Sequence, residues 1–195
     1  MDIIARNICK AFGEKQVLTD FSYTFKSGKT TAVMGSSGCG KSTLISILMG
    51  VLPYDSGEVS PKNGEFRRSA VFQENRLCEN LTAAANIRLV TGKRLSNAEI
   101  AKELTAVGLS GCENKPVREL SGGMKRRVAL LRALLAEYDA LFLDEPFKGL
   151  DSETKGMILD YTKKMTEGKT VILVTHDKAE CDALAEELVM FANLK

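Results

Sequence analysis

Charge of either sign is nearly balanced in this chain, which has a formal net charge of +2 at neutral pH. So small an excess gives no argument for binding nucleic acid or an acidic membrane surface. The five cysteines, Cys9, Cys39, Cys78, Cys112 and Cys181, include no CxxC pair. Their odd number and wide scatter suggest neither a zinc site nor a disulfide framework, and reduced thiols are expected. No N-terminal stretch has the form of a signal peptide, and no apolar run approaches membrane-spanning length. A soluble, intracellular protein is expected, with any membrane role arising through a partner. Internal repeats, low-complexity stretches and long linkers are missing too, and histidine occurs once, at His176.

What is present begins with a core. A length of 195 residues suits one globular domain with room for an inserted subdomain, and 44% hydrophobic content supports it. The most informative stretch is Gly35-Ser36-Ser37-Gly38-Cys39-Gly40-Lys41-Ser42-Thr43, which fits G-x-x-x-x-G-K-[ST]. Thr30 to Met34 before it reads as a buried strand, and Leu44 to Met49 after it reads as a helix stopped by Gly50 and Pro53. A glycine-rich turn from strand to helix points backbone N–H groups at an anion beside the positive end of the helix dipole. Lys41 adds a full charge for terminal phosphates, and the Ser42 hydroxyl can ligate Mg²⁺. A nucleoside triphosphate site is therefore expected. Cys39, beside Lys41 and a helix N-terminus, is the one thiol expected to be sensitive to alkylation.

Asp2 to Cys9 and Lys15 to Phe25 read as strands joined by a turn at Phe12 to Lys15, the first alternating Ile4, Asn7 and Ile8 with polar residues. Short strands follow at Gly57 to Val59 and Arg68 to Phe72, the second delivering Gln73. From Leu81 to about Leu109 the periods are helical. Leu81, Ala84, Ala85, Ile87 and Leu89 suggest one helix. Ser96 caps a second, with Glu99 at the capping-box position and Ile100, Leu104 and Val107 as its stripe. Ser121 reads as the N-cap of a helix carrying Val128, Leu131 and Leu135. Beyond it, Tyr138 to Leu143 and Lys169 to Thr175 are continuous apolar strands of the kind found in a parallel sheet covered on both faces. Helices at about Ser152 to Met165 and Lys178 to Ala185, and a last strand at Glu187 to Phe191, complete the pattern. The fold class is α/β with right-handed crossovers: residues 1–73 and 137–195 form the core, and 74–136 an inserted, mainly helical subdomain.

Two further stretches carry chemistry. Leu141 to Pro146 puts Asp144 and Glu145 at the end of a buried strand, where ligands collect in an open α/β sheet. Asp144 can reach a Mg²⁺ shell there, and Glu145 can polarise an attacking water as general base. Leu120-Ser121-Gly122-Gly123-Met124 leaves backbone donors bare at a helix start, as a second phosphate-binding surface would need. By itself a Ser-Gly-Gly helix cap is the simpler explanation.

The ordered set changes that reading. GSSGCGKST at 35–43, Gln73, LSGGM at 120–124, LFLDEP at 141–146, KGLD at 148–151 and VTHD at 174–177 resemble the ATP-binding cassette (ABC) ATPases across essentially the whole chain. FQENRLCENLTAAANI at 72–87 resembles the short ATPase subunits of bacterial importers of the nitrate, sulfonate or taurine type. The resemblance implies a P-loop core with a mainly parallel sheet, an N-terminal antiparallel β-subdomain and an inserted helical subdomain bearing the signature. It implies Phe12 stacked on adenine, and Gly35, Ser36, Ser37, Gly38, Cys39, Gly40, Lys41, Ser42 and Thr43 around the phosphates. Gln73 would touch Mg²⁺ or the attacking water and sense the transporter. Ser121, Gly122 and Gly123 would contact the γ-phosphate of ATP on the other subunit, and Asp151 would lie across the dimer interface. His176 would bond the γ-phosphate and orient Glu145 and water, since a neutral imidazole can donate and accept. Met124 replaces the usual glutamine of the signature, and Lys148-Gly149 stands where serine–alanine is common.

The implied function is an ATPase subunit that dimerises around two ATP with Mg²⁺ and drives a separate membrane permease docking near Gln73 to Ile87. It would lie on the cytoplasmic face of the membrane. Its partners would be a second copy or a paralogous ATPase subunit, the permease and a substrate-binding protein, with no nucleic acid. The alternative is a soluble ATPase that remodels a protein or nucleic-acid complex. Against it stand the absence of a long coiled-coil insertion, a tandem second cassette or a strong basic face. A P-loop kinase would leave LSGGM and the LFLDEP–histidine set without a role.

Overall fold

A computed structural model describes residues 1–61 and 66–191, and the chain separates into two units. The first comprises Met1–Arg68, Tyr138–Asp144 and Glu167–Lys195. Its antiparallel sheet runs β2-β1-β4, from β1 (Ile3–Phe12), β2 (Lys15–Phe25) and β4 (Ser56–Ser60). The alternation expected along β1 breaks at Asn7, which takes a left-handed φ of 49°. The register slips between Ala5 and Ile8, as a bulge requires. Ile3, Ala5 and Ile8 are therefore the buried apolar residues, and Asn7 faces out, its amide donating to Asp20 at 2.6 Å.

The same unit holds parallel strands in the order β6-β7-β3-β8: β3 (Thr30–Met34), β6 (Ala140–Asp144), β7 (Thr170–Val174) and β8 (Glu187–Met190). Every residue of β6 and β7 is buried, which is why both read as unbroken apolar runs. Joining parallel strands needs crossovers: α1 (Lys41–Leu48) follows β3, and α6 (Lys178–Leu184) carries the chain from β7 to β8 on the far side of β3. Leu44, Ile45 and Leu48 of α1 join Leu141, Phe142, Leu143, Ile172 and Leu173 in the core, each at most 1% exposed. Each such side chain contributes about 1.5–3 kcal/mol on burial.

The second unit comprises Ser69–Glu137 and Glu145–Thr166. It takes over from the first within β5 (Arg68–Val71) and contains α2 (Ala83–Thr91), α3 (Asn97–Ala106), α4 (Gly122–Leu135) and α5 (Ser152–Thr166). The Ser96–Glu99 capping box is formed, and Ile100, Leu104 and Val107 are buried. The phase of α2 differs from the expected one. Ala83, Ile87 and Thr91, at i, i+4 and i+8, face inward with Asn86, while Leu89 is 59% exposed. Asn86 is fully buried because its amide is used locally: Oδ1 accepts from Cys78 N at 2.9 Å, and Nδ2 donates to Cys78 O at 3.1 Å and Thr82 O at 3.0 Å. Among the described residues no helix is long and apolar enough to cross a membrane.

Candidate active site

Three neighbouring parallel strands of the first unit end at one edge. In register, Val33 of β3 and Asp144 of β6 both lie beside Val174 of β7. The glycine-rich loop leaves β3 there, Asp144 closes β6, and His176 follows two residues after β7. The carboxyl edge of a parallel sheet is where an α/β fold places ligands.

Two of the loop's glycines stand where an added side chain would be crowded. Gly40 has φ 108°, and a Cβ on it would stand 3.0 Å from both Cγ1 and the carbonyl oxygen of Val17 in β2. A Cβ on Gly35 would stand 3.0 Å from Cys39 Sγ and from Phe191 Cβ. At Gly40 the left-handed φ and the close approach of β2 together favour glycine. Leu44 N donates to Gly40 O at 2.9 Å, which begins the ladder of α1; the N–H groups of Lys41, Ser42 and Thr43 precede it. Lys41 is 8% exposed and lies across the loop, Nζ donating to Gly35 O at 2.7 Å and Ser36 O at 2.8 Å. It also donates to Cys39 Sγ at 3.6 Å. Backbone donors, a helix N-terminus and an ammonium make this a phosphate cradle.

Among the described residues no three His, Cys, Asp or Glu side chains cluster to hold a metal. Ser42 and Asp144 supply oxygen ligands suited to Mg²⁺, which commonly completes its shell with substrate phosphates and water. Asp144 is 4% exposed at the end of β6.

His176 is exposed, but the residues flanking it are fixed. Thr175 Oγ1 accepts from Asp177 N at 3.0 Å and donates to Glu180, which is 3% exposed. Asp177 in turn caps α6, accepting from Ala179 N at 2.8 Å. Phe12 ends β1 at the hairpin, 51% exposed and offering a ring face, with Lys10 Nζ 5.5 Å from its centroid.

The remaining expected residues belong to the second unit. Gln73 is exposed just after β5. Glu145 is peptide-bonded to Asp144 and takes a left-handed φ of 49°, an uncommon conformation for a side chain of this kind. Ser121 caps α4, accepting from Met124 N at 3.3 Å, and a Cβ on Gly122 would meet only open space. Asp151 accepts from Thr154 N at 2.9 Å at the start of α5, and that bond holds its carboxyl below the usual range. A buried charged residue that the sequence motifs do not single out is Arg126 in α4, 4% exposed. Its signal was present: it opens a stripe continued by Ala129, Leu130, Ala133 and Leu134, where a charge has no place without partners.

Residues 18–148 match the family described as ABC transporter. The Taurine import ATP-binding protein TauB of Pelagibacter ubique is 37% identical over 208 residues, spanning 98% of this chain and 78% of that protein. TauB of Escherichia coli K12 is 36% identical, spanning 93% and 76%. The ATP-binding cassette MJ0796, in a dimeric post-hydrolysis structure bound to ADP and Pi, superposes with a TM-score of 0.84 at 29% identity, covering 96% of this chain and 93% of that one. A second dimeric MJ0796 structure gives the same score at 30% identity. With the phosphate cradle in place, these likenesses lead to one conclusion: the chain belongs to the ABC transporter family and is one of its ATP-hydrolysing ATP-binding proteins.

Proposed function

We propose that the chain is the ATPase subunit of an importer for a small organic anion, acting as a dimer on a membrane permease. The cradle of Gly40 and Lys41 at the edge shared with Asp144 and His176 carries this reading for the nucleotide. The TauB relatives, named for taurine import, support the cargo class and the permease. The dimeric cassettes support a second subunit. A cytoplasmic, membrane-peripheral location and a substrate-binding protein belong to the same proposal, as does the subdomain at 74–136.

Phe12 stacks on the adenine, and Gly35 to Thr43 hold the phosphates, with Lys41 on the terminal ones. Ser42, Gln73 and Asp144 would hold Mg²⁺, which when bound would supply positive charge to the phosphates. Glu145 is the general base for the attacking water, and His176 bonds the γ-phosphate and keeps that water aligned. Ser121, Gly122 and Gly123 meet the γ-phosphate bound by the other subunit, with Asp151 nearby across the interface. Phosphoryl transfer is governed by positioning and charge, so a site divided between two subunits is active only when they close.

Replacing the base tests this. Glu145→Gln is expected to keep ATP binding, to lose about 100-fold or more in turnover and to accumulate as an ATP-bound dimer. Light scattering on the eluting protein with ATP reads the dimer. Turnover at the native rate removes Glu145 as base. Affinity capture from detergent-solubilised membranes tests the permease: recovery of soluble proteins alone defeats the importer reading.

A further inference from the structure

We infer that Arg126 is a positioning residue that ties the loop bearing Gln73 to the backbone of Glu145. The inference rests on the reading that both residues act at the reacting phosphate. Arg126 sits in the first turns of α4, five positions beyond its Ser121 cap, and is 4% exposed. Its guanidinium fork spreads over two separate segments of the same unit. Toward the Gln73 segment, Nη1 donates to Phe72 O at 2.6 Å, Asn75 Oδ1 at 3.2 Å and Gln73 O at 3.4 Å. Toward the Glu145 segment, Nε donates to Pro146 O at 3.0 Å and Nη2 donates to Glu145 O.

The chemistry suits arginine and no other side chain. Five N–H donors in a rigid plane can serve carbonyls on two sides at once, whereas a lysine ammonium is a single point with three. A buried charge is retained only where acceptors surround it, and here those acceptors are backbone oxygens of the two functional loops together with Asn75 Oδ1. At Glu145 the carbonyl held by Arg126 belongs to the residue with φ 49°. Fixing that carbonyl fixes the plane of the following peptide and, with the left-handed φ, the direction from which the Glu145 carboxylate departs. The Gln73 loop is also braced elsewhere, by Arg76 stacked 3.7 Å from the centroid of Phe72 and by Arg132 Nη2 donating to Asn75 O at 3.5 Å. Arg126 is the member of this set that reaches Glu145 as well. A shift of the Gln73 loop is thereby transmitted to the base, and the two are kept in register for one water.

The test uses the full chain with Arg126→Met, Arg126→Lys and Asn75→Ala. ATP titrations of steady-state hydrolysis give kcat and KM, and amide hydrogen exchange gives local order. Arg126→Met is expected to lower kcat at least about tenfold with KM within about threefold, and Arg126→Lys to fall between. In both, exchange rises at 73–76 and at 147–148 together, while the rest of α4 keeps its protection. Asn75→Ala, which removes a single acceptor on the Gln73 side, is expected to lower kcat about threefold and to raise exchange at 147–148 as well. Should Arg126→Met not fold, the other two variants carry the same reading. Native kcat in a folded Arg126 variant overturns the inference. So does exchange rising along all of α4 with kcat and KM impaired alike, or unchanged exchange at 147–148 in Asn75→Ala. Glu145→Gln run alongside separates the failures: if it turns over normally, the base assignment is what has failed.

Discussion

Thr175 and Glu180 are joined by a buried hydrogen bond of 2.5 Å, hydroxyl to carboxylate, across the turn that carries His176. Thr175 has no exposed surface, and its oxygen also accepts from Asp177 N, so one hydroxyl closes the turn in both directions. His176 is thus presented by a braced loop at the end of β7.

Loosening that brace is expected to act on turnover more than on nucleotide affinity. Glu180→Ala leaves the Thr175 hydroxyl without this acceptor in a buried place, a cost of about 1–3 kcal/mol in stability. Glu180→Gln keeps an acceptor oxygen and is expected to be milder. If His176 is positioned this way, Glu180→Ala lowers kcat about tenfold while the dissociation constant for ATP barely moves. Calorimetric binding beside steady-state rates decides it, and equal kcat in Ala and native proteins refutes the coupling.

Two glycines of the phosphate loop give a graded prediction. Gly38 has φ 77° with nothing within 4 Å of an added Cβ, whereas Gly40 has φ 108° and would meet Val17 at 3.0 Å. Gly38→Ala bears only the left-handed strain, about 1–2 kcal/mol. Gly40→Ala adds a 3.0 Å contact with the Val17 carbonyl and is expected to weaken ATP binding and stability more than Gly38→Ala does. Thermal unfolding and fluorescent-nucleotide titration of both variants check the order, and equal damage from the two contradicts it.

Acid stability is expected to depend on Asp139. Its carboxylate accepts from the Arg67 side chain at 3.0 Å and from Arg67 N at 2.7 Å, and these bonds lower its pKa from 3.8 to about 2. A carboxylate with a depressed folded-state pKa stabilises above its unfolded value and loses that contribution as pH falls through the folded one. The window therefore runs from about pH 4 down to about 2. Urea unfolding across that range is expected to show a shallower acid decline for Asp139→Asn than for the native chain. An NMR titration of Arg67→Gln should find the Asp139 carboxyl raised toward its ordinary value but still below it, because the bond from the residue-67 N–H remains. Identical acid profiles would show that the pair does not contribute.

The capping box at Ser96, the apolar runs of β6 and β7 and the glycine-rich loop were legible because each is decided within a few residues. Capping bonds span three positions, and a strand buried on both faces shows itself in composition alone. The phase of α2 was less legible: Leu89 has the same hydrophobicity as a core residue and lies outside only because Ala83, Ile87 and Thr91 won the inward face. The bulge at Asn7 was hidden likewise, since its polar partner Asp20 lies on another strand.

By itself, the sequence determined the α/β class, the phosphate loop and the family, because backbone propensity and motif spacing are short-range quantities. Tertiary structure alone decided what surrounds Arg126: its acceptors lie as far as 54 positions back, at Phe72, and 20 positions ahead, at Pro146. A buried charge must find oxygens wherever the fold provides them, and no local pattern names them in advance.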